Sequence, residues 1–497
     1  MKSKLGLMLI LSAVIVTGCG PTTVQPTPVI LTPTPIPPTP TPKPPTSSGE
    51  LARSEKQRVT SPDVAASDLA DLVNGNSAFA FDLYQALGEG NGNLFYSPYS
   101  ISLALAMTYA GARGETAQQM ANSLHFILSQ DRLHPAFNGL DLELARRSEG
   151  PTGQEGEGTG PGPFVPCVLG HRTGPYGTVP QDQGLGHRTG PYGTVPKDQG
   201  RRVQGFQLHI ANSLWGQISY KFLSEYLDLL AENYGAGLRL LDFANAPEES
   251  RVTINDWVSE QTEDRIKGLI PPGGISKITR LVLVNAIYFN AAWQYPFKEE
   301  LTHDGTFYLL DDGEVTLPMM KQTKSFGYAE GEGYQAVELP YVGGELAMVI
   351  LLPEAGGFEA FEGSLDAERV EAIVRELAHK RVALTMPKFT FDSSFMLANT
   401  LAGLGMPDAF SRGAADFSGM DGTREFFIGE VIHKAFVSVD EAGTEAAAAT
   451  AVIMVGAAPG TPVPPIEVTV DRPFVFLIRD IKTGAILFVG RVVNPRA

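Results

Sequence analysis

The sequence predicts an α+β body. Apolar residues recur at helical spacing early in the chain, at Leu69, Leu72, Val73, Phe79, Phe81 and Leu83. Beyond residue 205 strand-like runs dominate, and Leu281 to Asn290 is continuously apolar, as for a central strand covered on both faces. Helices first and strands later, without regular alternation, favour α+β over α/β. The 497 residues would allow two or three domains. Composition sets aside residues 1–65 and 151–204, leaving one large folded unit with an ample core.

The chain opens with Lys2 and Lys4 ahead of an apolar run, Leu5 to Val16. That run falls well short of the ~20 residues that span a bilayer, so residues 1–19 read as an export signal. Val16-Thr-Gly-Cys19 resembles a bacterial lipobox, which would make Cys19 a lipidated N-terminus; the alternative is an ordinary signal cleaved nearby. Residues 20–65 read as a linker. Its 21–48 stretch, nearly pure Pro and Thr, favours extended polyproline II and could reach about 85 Å at ~3.1 Å per residue. The expected location is extracytoplasmic, lipid-anchored or secreted. The chain has two cysteines, Cys19 and Cys167, so acylation of Cys19 would leave no internal disulfide. Cys167 has no partners at metal-ligand spacing, and neither metal nor cofactor is expected. A net charge of −17 argues against a general nucleic-acid or anionic-membrane binder.

The folded body is expected over 66–497. Its first helix spans the periodic region Val64 to Leu87. Ser97-Pro-Tyr-Ser100 caps the next, Ile101 to Ala110, which is too apolar to lie exposed. Ala117 to Leu124 and Ala136 to Arg147 read as two more. Residues 151–204 interrupt this pattern with Gly- and Pro-rich sequence containing a near-exact duplication, GHRTGPYGTVPQDQG at 170–184 and GHRTGPYGTVPKDQG at 186–200. Two copies are too few for a solenoid. Between 170 and 202 five Arg or Lys face two Asp, a local +3 in an acidic chain. The plain reading is a loop created by tandem duplication; the other is a polyanion site.

Phe206 to Gln217 reads as a strand, Lys221 to Tyr234 as an amphipathic helix and Val252 to Ile266 as another. Tyr334 to Pro353, Arg381 to Asp392 and Val431 to Asp440 are strand-like. The stretch from Glu441 to Pro465, EAGTEAAAATAVIMVGAAPGTPVPP, is ambiguous. Alanine content favours a helix, whereas period two puts Thr444, Ala446, Ala448, Thr450, Val452 and Met454 on one face and Glu445 on the other. Such a segment could sit exposed or enter a sheet without burying charge.

Its flanks resolve this ambiguity. HKAFVSVDEAGTEAAAATA, then DRPFVFLIRD at 471–480 and FVGRVVNP before the C-terminus, resembles the final third of the serpins. Asn93-Leu-Phe-Tyr-Ser-Pro-Tyr-Ser-Ile101, Asn285-Ala-Ile-Tyr-Phe-Asn-Ala-Ala-Trp293 and INDWVSEQTEDRI resemble earlier serpin elements in the same order. The resemblance covers roughly 65–150 and 205–497. It implies a serpin-like fold with a large central mixed β-sheet, further sheets, about eight or nine helices and an exposed reactive-centre loop.

The resemblance also assigns sites. Glu441, Gly443, Thr444, Glu445, Ala446, Ala447, Ala448, Ala449 and Thr450 would form the hinge that inserts into the sheet. Ser97, Ser100, Asn285 and His433 would hydrogen-bond beneath its opening point as a shutter, and Trp293, Lys388 and Glu441 would form the breach. Family spacing puts the cleaved residue sixteen positions beyond Glu441, at Ala457–Ala458, while counting back from Pro473 points nearer Pro462. A small residue there suits elastase-like or subtilisin-like serine proteases.

The implied activity is a kinetic trap, with cleavage of the bait, an acyl-enzyme, and insertion of the freed arm as a strand. The chain contains no G-x-S-x-G, H-E-x-x-H, G-x-x-x-x-G-K-[ST] or C-x-x-C motif. Catalysis is therefore not expected, and the expected partner of a monomer is a serine protease. The alternative is a non-inhibitory serpin-like binding module on the cell surface.

Overall fold

The computed structural model describes residues 49–88, 92–148, 206–444 and 464–496. The signal segment with Cys19, the Pro/Thr stretch and the 151–204 insertion with Cys167 lie outside the described residues.

The body begins before residue 66. Strand β1 (Glu50–Ala52) pairs antiparallel with Leu238–Leu240. Lys56 bonds Glu232 at 2.8 Å, Arg58 bonds Asp141 at 2.7 Å, and the Val59 N–H donates to the Glu232 carbonyl. Composition reads this polar stretch as linker because its partners lie on helices far along the chain.

Next come α1 (Ala66–Leu87), β2 (Leu94–Tyr96), α2 (Pro98–Tyr109), α3 (Gly114–Ser123) and α4 (Gln130–Ser148). Helix α2 starts as its sequence demands. Ser97 accepts from the Ser100 N–H, Pro98 stands in the first turn, and all twelve residues are buried. Beyond the insertion lie β3 (Gln207–Gln217), α5 (Ser224–Tyr234), β4 (Leu238–Leu241), α6 (Pro247–Gln261) and β5 (Leu281–Ala292).

The central part of the chain supplies β6 (His303–Tyr308), β7 (Glu314–Gly331), β8 (Tyr334–Pro340), β9 (Leu346–Pro353), α7 (Phe358–Glu362), α8 (Ala367–Glu376), β10 (Ala378–Pro387) and β11 (Phe389–Met396). The last part holds α9 (Ala398–Gly403), α10 (Ser418–Asp421), β12 (Ile428–Val439), β13 (Gly443–Thr444), β14 (Ile466–Thr469), β15 (Phe474–Asp480) and β16 (Ile486–Val492). The described residues thus contain ten α-helices, of which α7, α9 and α10 are six residues or shorter. Those three are too short for sequence periodicity to register.

Two sheets organise the molecule. The seven-stranded sheet runs β1-β4-β3-β5-β13-β12-β11, and β5 also pairs directly with β12. It is mixed, since β3–β4 and β5–β12 are parallel and the rest antiparallel. The nine-stranded sheet runs β14-β10-β7-β8-β9-β15-β16-β2, with β6 on β7. The α+β expectation with a large central mixed sheet therefore holds.

The apolarity of β5 on either side of Asn285 has a direct cause. Leu281, Leu283, Ile287 and Phe289 join the main core, whereas Val282, Val284 and Ala286 join a second cluster with Ile254, Trp257 and Val258 of α6. Both faces are covered, so a polar side chain is tolerated there only where, as at Asn285, it finds hydrogen-bond partners.

Candidate functional site

Strands β5 and β12 run parallel and in register from Leu283/Val431 to Tyr288/Phe436, then separate. The wedge that opens is filled by β13, antiparallel to both. Gly443 pairs with Ala292, Thr444 with Ala291 on one side and with Val439 on the other. The chain turns back into this gap after Asp440, whose carboxylate accepts from the Ala442 and Gly443 N–H groups. A Cβ at Gly443 would lie 2.1 Å from the Ala291 carbonyl oxygen, so no larger residue fits there without displacing β5. Thr444 is fully buried, and its hydroxyl lies 2.8 Å from that of Tyr341. Burial pushes the Tyr341 phenol far up, so it stays neutral.

The hinge expected to insert includes Gly443 and Thr444, and the structure finds both already inside the sheet. The remaining hinge positions, Glu445 to Thr450, and the Ala457–Ala458 bond lie outside the described residues.

Above the wedge, Trp293 stacks on Tyr341 with centroids 4.7 Å apart. Its indole N–H donates to the Asp440 carbonyl at 3.0 Å and its backbone N–H to the Ala442 carbonyl. Glu441 bonds Lys388 at 2.8 Å, and its other carboxylate oxygen accepts from the Thr302 hydroxyl at 2.8 Å. Burial raises the Glu441 pKa, but the Lys388 and Thr302 hydrogen bonds outweigh it and hold the group below its ordinary range. Trp293, Lys388 and Glu441 are thus one assembly, and Tyr341, Thr302 and Asp440 belong to it.

Where the two strands still touch, a second assembly lies fully under the sheet. Asn285 and His433 are register partners, and the His433 Nδ1–H donates to the Asn285 side-chain carbonyl. The ring's Nε2 accepts from the Ser97 backbone N–H at 3.2 Å. The Asn285 amide donates to Ser100 Oγ at 2.6 Å and to Asn212, its register partner on β3. Ser97, Ser100, Asn285 and His433 are therefore together, with Asn212 as a fifth member. The first four were expected from the family resemblance; Asn212 was not.

This network is not a hydrolase site. Burial lowers the His433 pKa to about 3, and Nε2 is occupied by a backbone N–H rather than a serine hydroxyl. Both serines are 0 % exposed. Among the described residues, no group of three or more His, Cys, Asp or Glu side chains could hold a metal ion, and no helix is long and apolar enough to cross a membrane.

Comparison with known proteins agrees with this architecture. The serpin (serine protease inhibitor) family model matches residues 74–157 and 190–495. An uncharacterized serpin-like protein of Thermococcus kodakarensis is 38 % identical over 425 residues, covering 86 % of each chain. The human leukocyte elastase inhibitor is 36 % identical over 439 residues, covering 86 % of this chain and all of that protein. The crystal structure of uncleaved ovalbumin superposes with a TM-score of 0.67 at 25 % identity, covering 86 % of this chain and 100 % of that one.

Proposed function

We propose, since the chain belongs to the serpin family of serine protease inhibitors, that it is an extracytoplasmic suicide substrate for an elastase-like or subtilisin-like protease. The protease serine would attack the Ala457 carbonyl, and the amine of Ala458 would leave as its bond to that carbonyl breaks. The resulting ester joins protease to inhibitor. The arm from Glu445 onward would then extend β13 between β5 and β12, carrying the protease with it before water can hydrolyse the ester.

The single observation that supports this reading best is the seating of Gly443 and Thr444 in the wedge. A strand two residues long, bonded on both sides, is an insertion already begun. The residues that follow it, Glu445 to Ala451, are small apart from Glu445, whose period-two position is outward. Continued zipping therefore buries little bulk and no charge on the inward face. We further propose that Cys19 is acylated and anchors a monomer to the membrane through the Pro/Thr stretch.

Incubation with leukocyte elastase followed by a denaturing gel tests the mechanism. A complex of summed mass that survives denaturant is expected. Cleavage without a complex would instead favour a non-inhibitory binding module. Mass spectrometry of the released C-terminal peptide tests the bond, and a start outside 457–462 would refute the assignment.

A further inference from the structure

Helices α4 and α5 pack side by side, and the segment that follows β1 crosses them with Lys56 and Arg58. Between the first turns of α4 and the length of α5 lies a groove of about 320 Å³, large enough for a small ligand. Its lining carries four carboxylates, Asp131 of α4 with Glu225, Asp228 and Glu232 of α5, against one ammonium, that of Lys56. With His134 neutral the lining is net −3. Two of the carboxylates show what the groove takes. The Lys56 ammonium sits between Asp228 and Glu232, at 3.2 and 2.8 Å. Asp131 and Glu225 are exposed and have no salt-bridge partner among the described residues.

The floor of the groove supplies acceptors that lack donors. His134 is 1 % exposed, and burial holds it neutral with a pKa of about 3. Its Nδ1 lies 2.6 Å from the Tyr234 hydroxyl, while Nε2 has no hydrogen-bond partner. The two ring nitrogens point in nearly opposite directions, so Nε2 is turned away from Tyr234 and to the groove that His134 lines. A phenol can donate or accept, so the ring is able to present a lone pair at Nε2. Pro135, the next residue of α4, has no N–H to give the Asp131 carbonyl four residues back. A buried polar atom left unpaired costs free energy, which the N–H of a ligand would offset.

These features select the chemistry of the ligand. The charge of the lining excludes anions. No group of three or more His, Cys, Asp or Glu side chains among the described residues could hold a metal ion, so the cation is organic. Acceptors on both helices call for more than one positively charged N–H group. We propose that the α4–α5 groove binds a small organic polyamine, whose ammonium groups are held by Asp131, Glu225 and the Nε2 of His134, beside the seat that Lys56 fills. Such binding stands apart from the inhibitor mechanism.

The test titrates the full chain with spermidine at constant ionic strength, read by calorimetry and by thermal melting. Saturable binding of one spermidine per chain and a raised melting midpoint are expected. Asp131→Asn/Glu225→Gln alters only exposed side chains and should weaken binding about tenfold. The control, Asp311→Asn/Asp312→Asn, alters exposed carboxylates at the β6–β7 turn and should bind as wild type does. Magnesium at equal charge should not displace spermidine. In nitrogen NMR spectra of the imidazoles, spermidine should shift the Nε2 resonance of His134. Absence of saturable binding, displacement by magnesium, equal weakening in the control or an unmoved His134 resonance would each overturn the site.

Discussion

Thr444 and Tyr341 meet hydroxyl to hydroxyl at 2.8 Å where β5 and β12 part, and both side chains are fully buried. The contact fixes the first inserted residue against the core rather than against solvent. Arginine at 444 would have to bring its charge into this contact, and the Tyr341 hydroxyl there is held neutral by burial. Thr444→Arg should therefore leave the wedge empty and block further zipping, because an unpaired buried charge costs several kcal/mol. Elastase should cleave this variant, with the trapped fraction lowered roughly tenfold or more. Thr444→Ser should trap normally. Equal complex formation by the arginine variant on a denaturing gel would refute the insertion mechanism.

Lys388 and Glu441 clasp the turn that feeds the wedge. Lys388 is partly exposed, so Lys388→Met should cost only about 1 kcal/mol, lowering the melting midpoint by about 2 °C. The clasp also has a pH signature. The carboxyl of Glu441 is held below its ordinary 4.5, so its stabilisation is complete above that value and is lost as pH falls below it. The stability gap between Lys388→Met and wild type should therefore narrow below pH 4.5, and a gap constant from pH 7 to 3 would contradict it.

Two buried imidazoles predict a separate acid sensitivity at higher pH. Burial lowers both His134 and His433 from 6.5 to about 3. Between those values the unfolded chain binds protons that the folded chain does not. Stability therefore falls as pH drops from 6.5 towards 3, by about 1 kcal/mol per pH unit for each ring. His134→Gln should roughly halve this slope in urea melts taken between pH 6 and 4. An unchanged slope would mean that His134 is charged in the native state.

Cys19→Ala should move the protein from the membrane pellet to the soluble fraction and remove the acyl mass from its N-terminal peptide. A form starting near residue 49 should inhibit elastase at the wild-type rate. Equal membrane recovery of wild type and Cys19→Ala would refute lipidation.

Excising residues 151–204 should shift the melting midpoint by less than about 2 °C, since closing a shorter loop changes entropy little. Polyanion binding through α4 is also disfavoured. Arg132 bonds Asp68, Arg146 bonds Glu143, and Arg147 bonds both Glu143 and the buried Asp480. Heparin should accelerate elastase inhibition neither in the full chain nor in the excised one, and acceleration confined to the full chain would assign the insertion a regulatory role.

Part of this architecture was legible in the chain itself. Ser97 before Pro98 announces α2, and the largely apolar run of β5 announces a strand covered twice. The grouping of Ser97, Ser100, Asn285 and His433 came from family resemblance, because side chains 336 positions apart carry no spacing signal. Asn212, Tyr341 and Thr302 went unseen for a related reason. Each is one polar group in an ordinary strand or turn, and only the register against Asn285, Thr444 or Glu441 gives it a role. The ion pairs of Lys56 and Arg58 were hidden because charge complementarity between distant segments leaves no periodic trace.

The three-residue strand β1 also has a mechanical consequence. A pull on the N-terminus loads the outermost edge of the seven-stranded sheet first, where Glu50, Leu51 and Ala52 pair with Leu240, Arg239 and Leu238. Just behind them Lys56 and Arg58 are pinned to α5 and α4. Strands β4, β3 and β5 then separate that load from the seam where Thr444 sits. If the N-terminus is tethered as proposed, tension on it would peel this short strand before any load reached the seam, so drag on the leash would not by itself drive insertion.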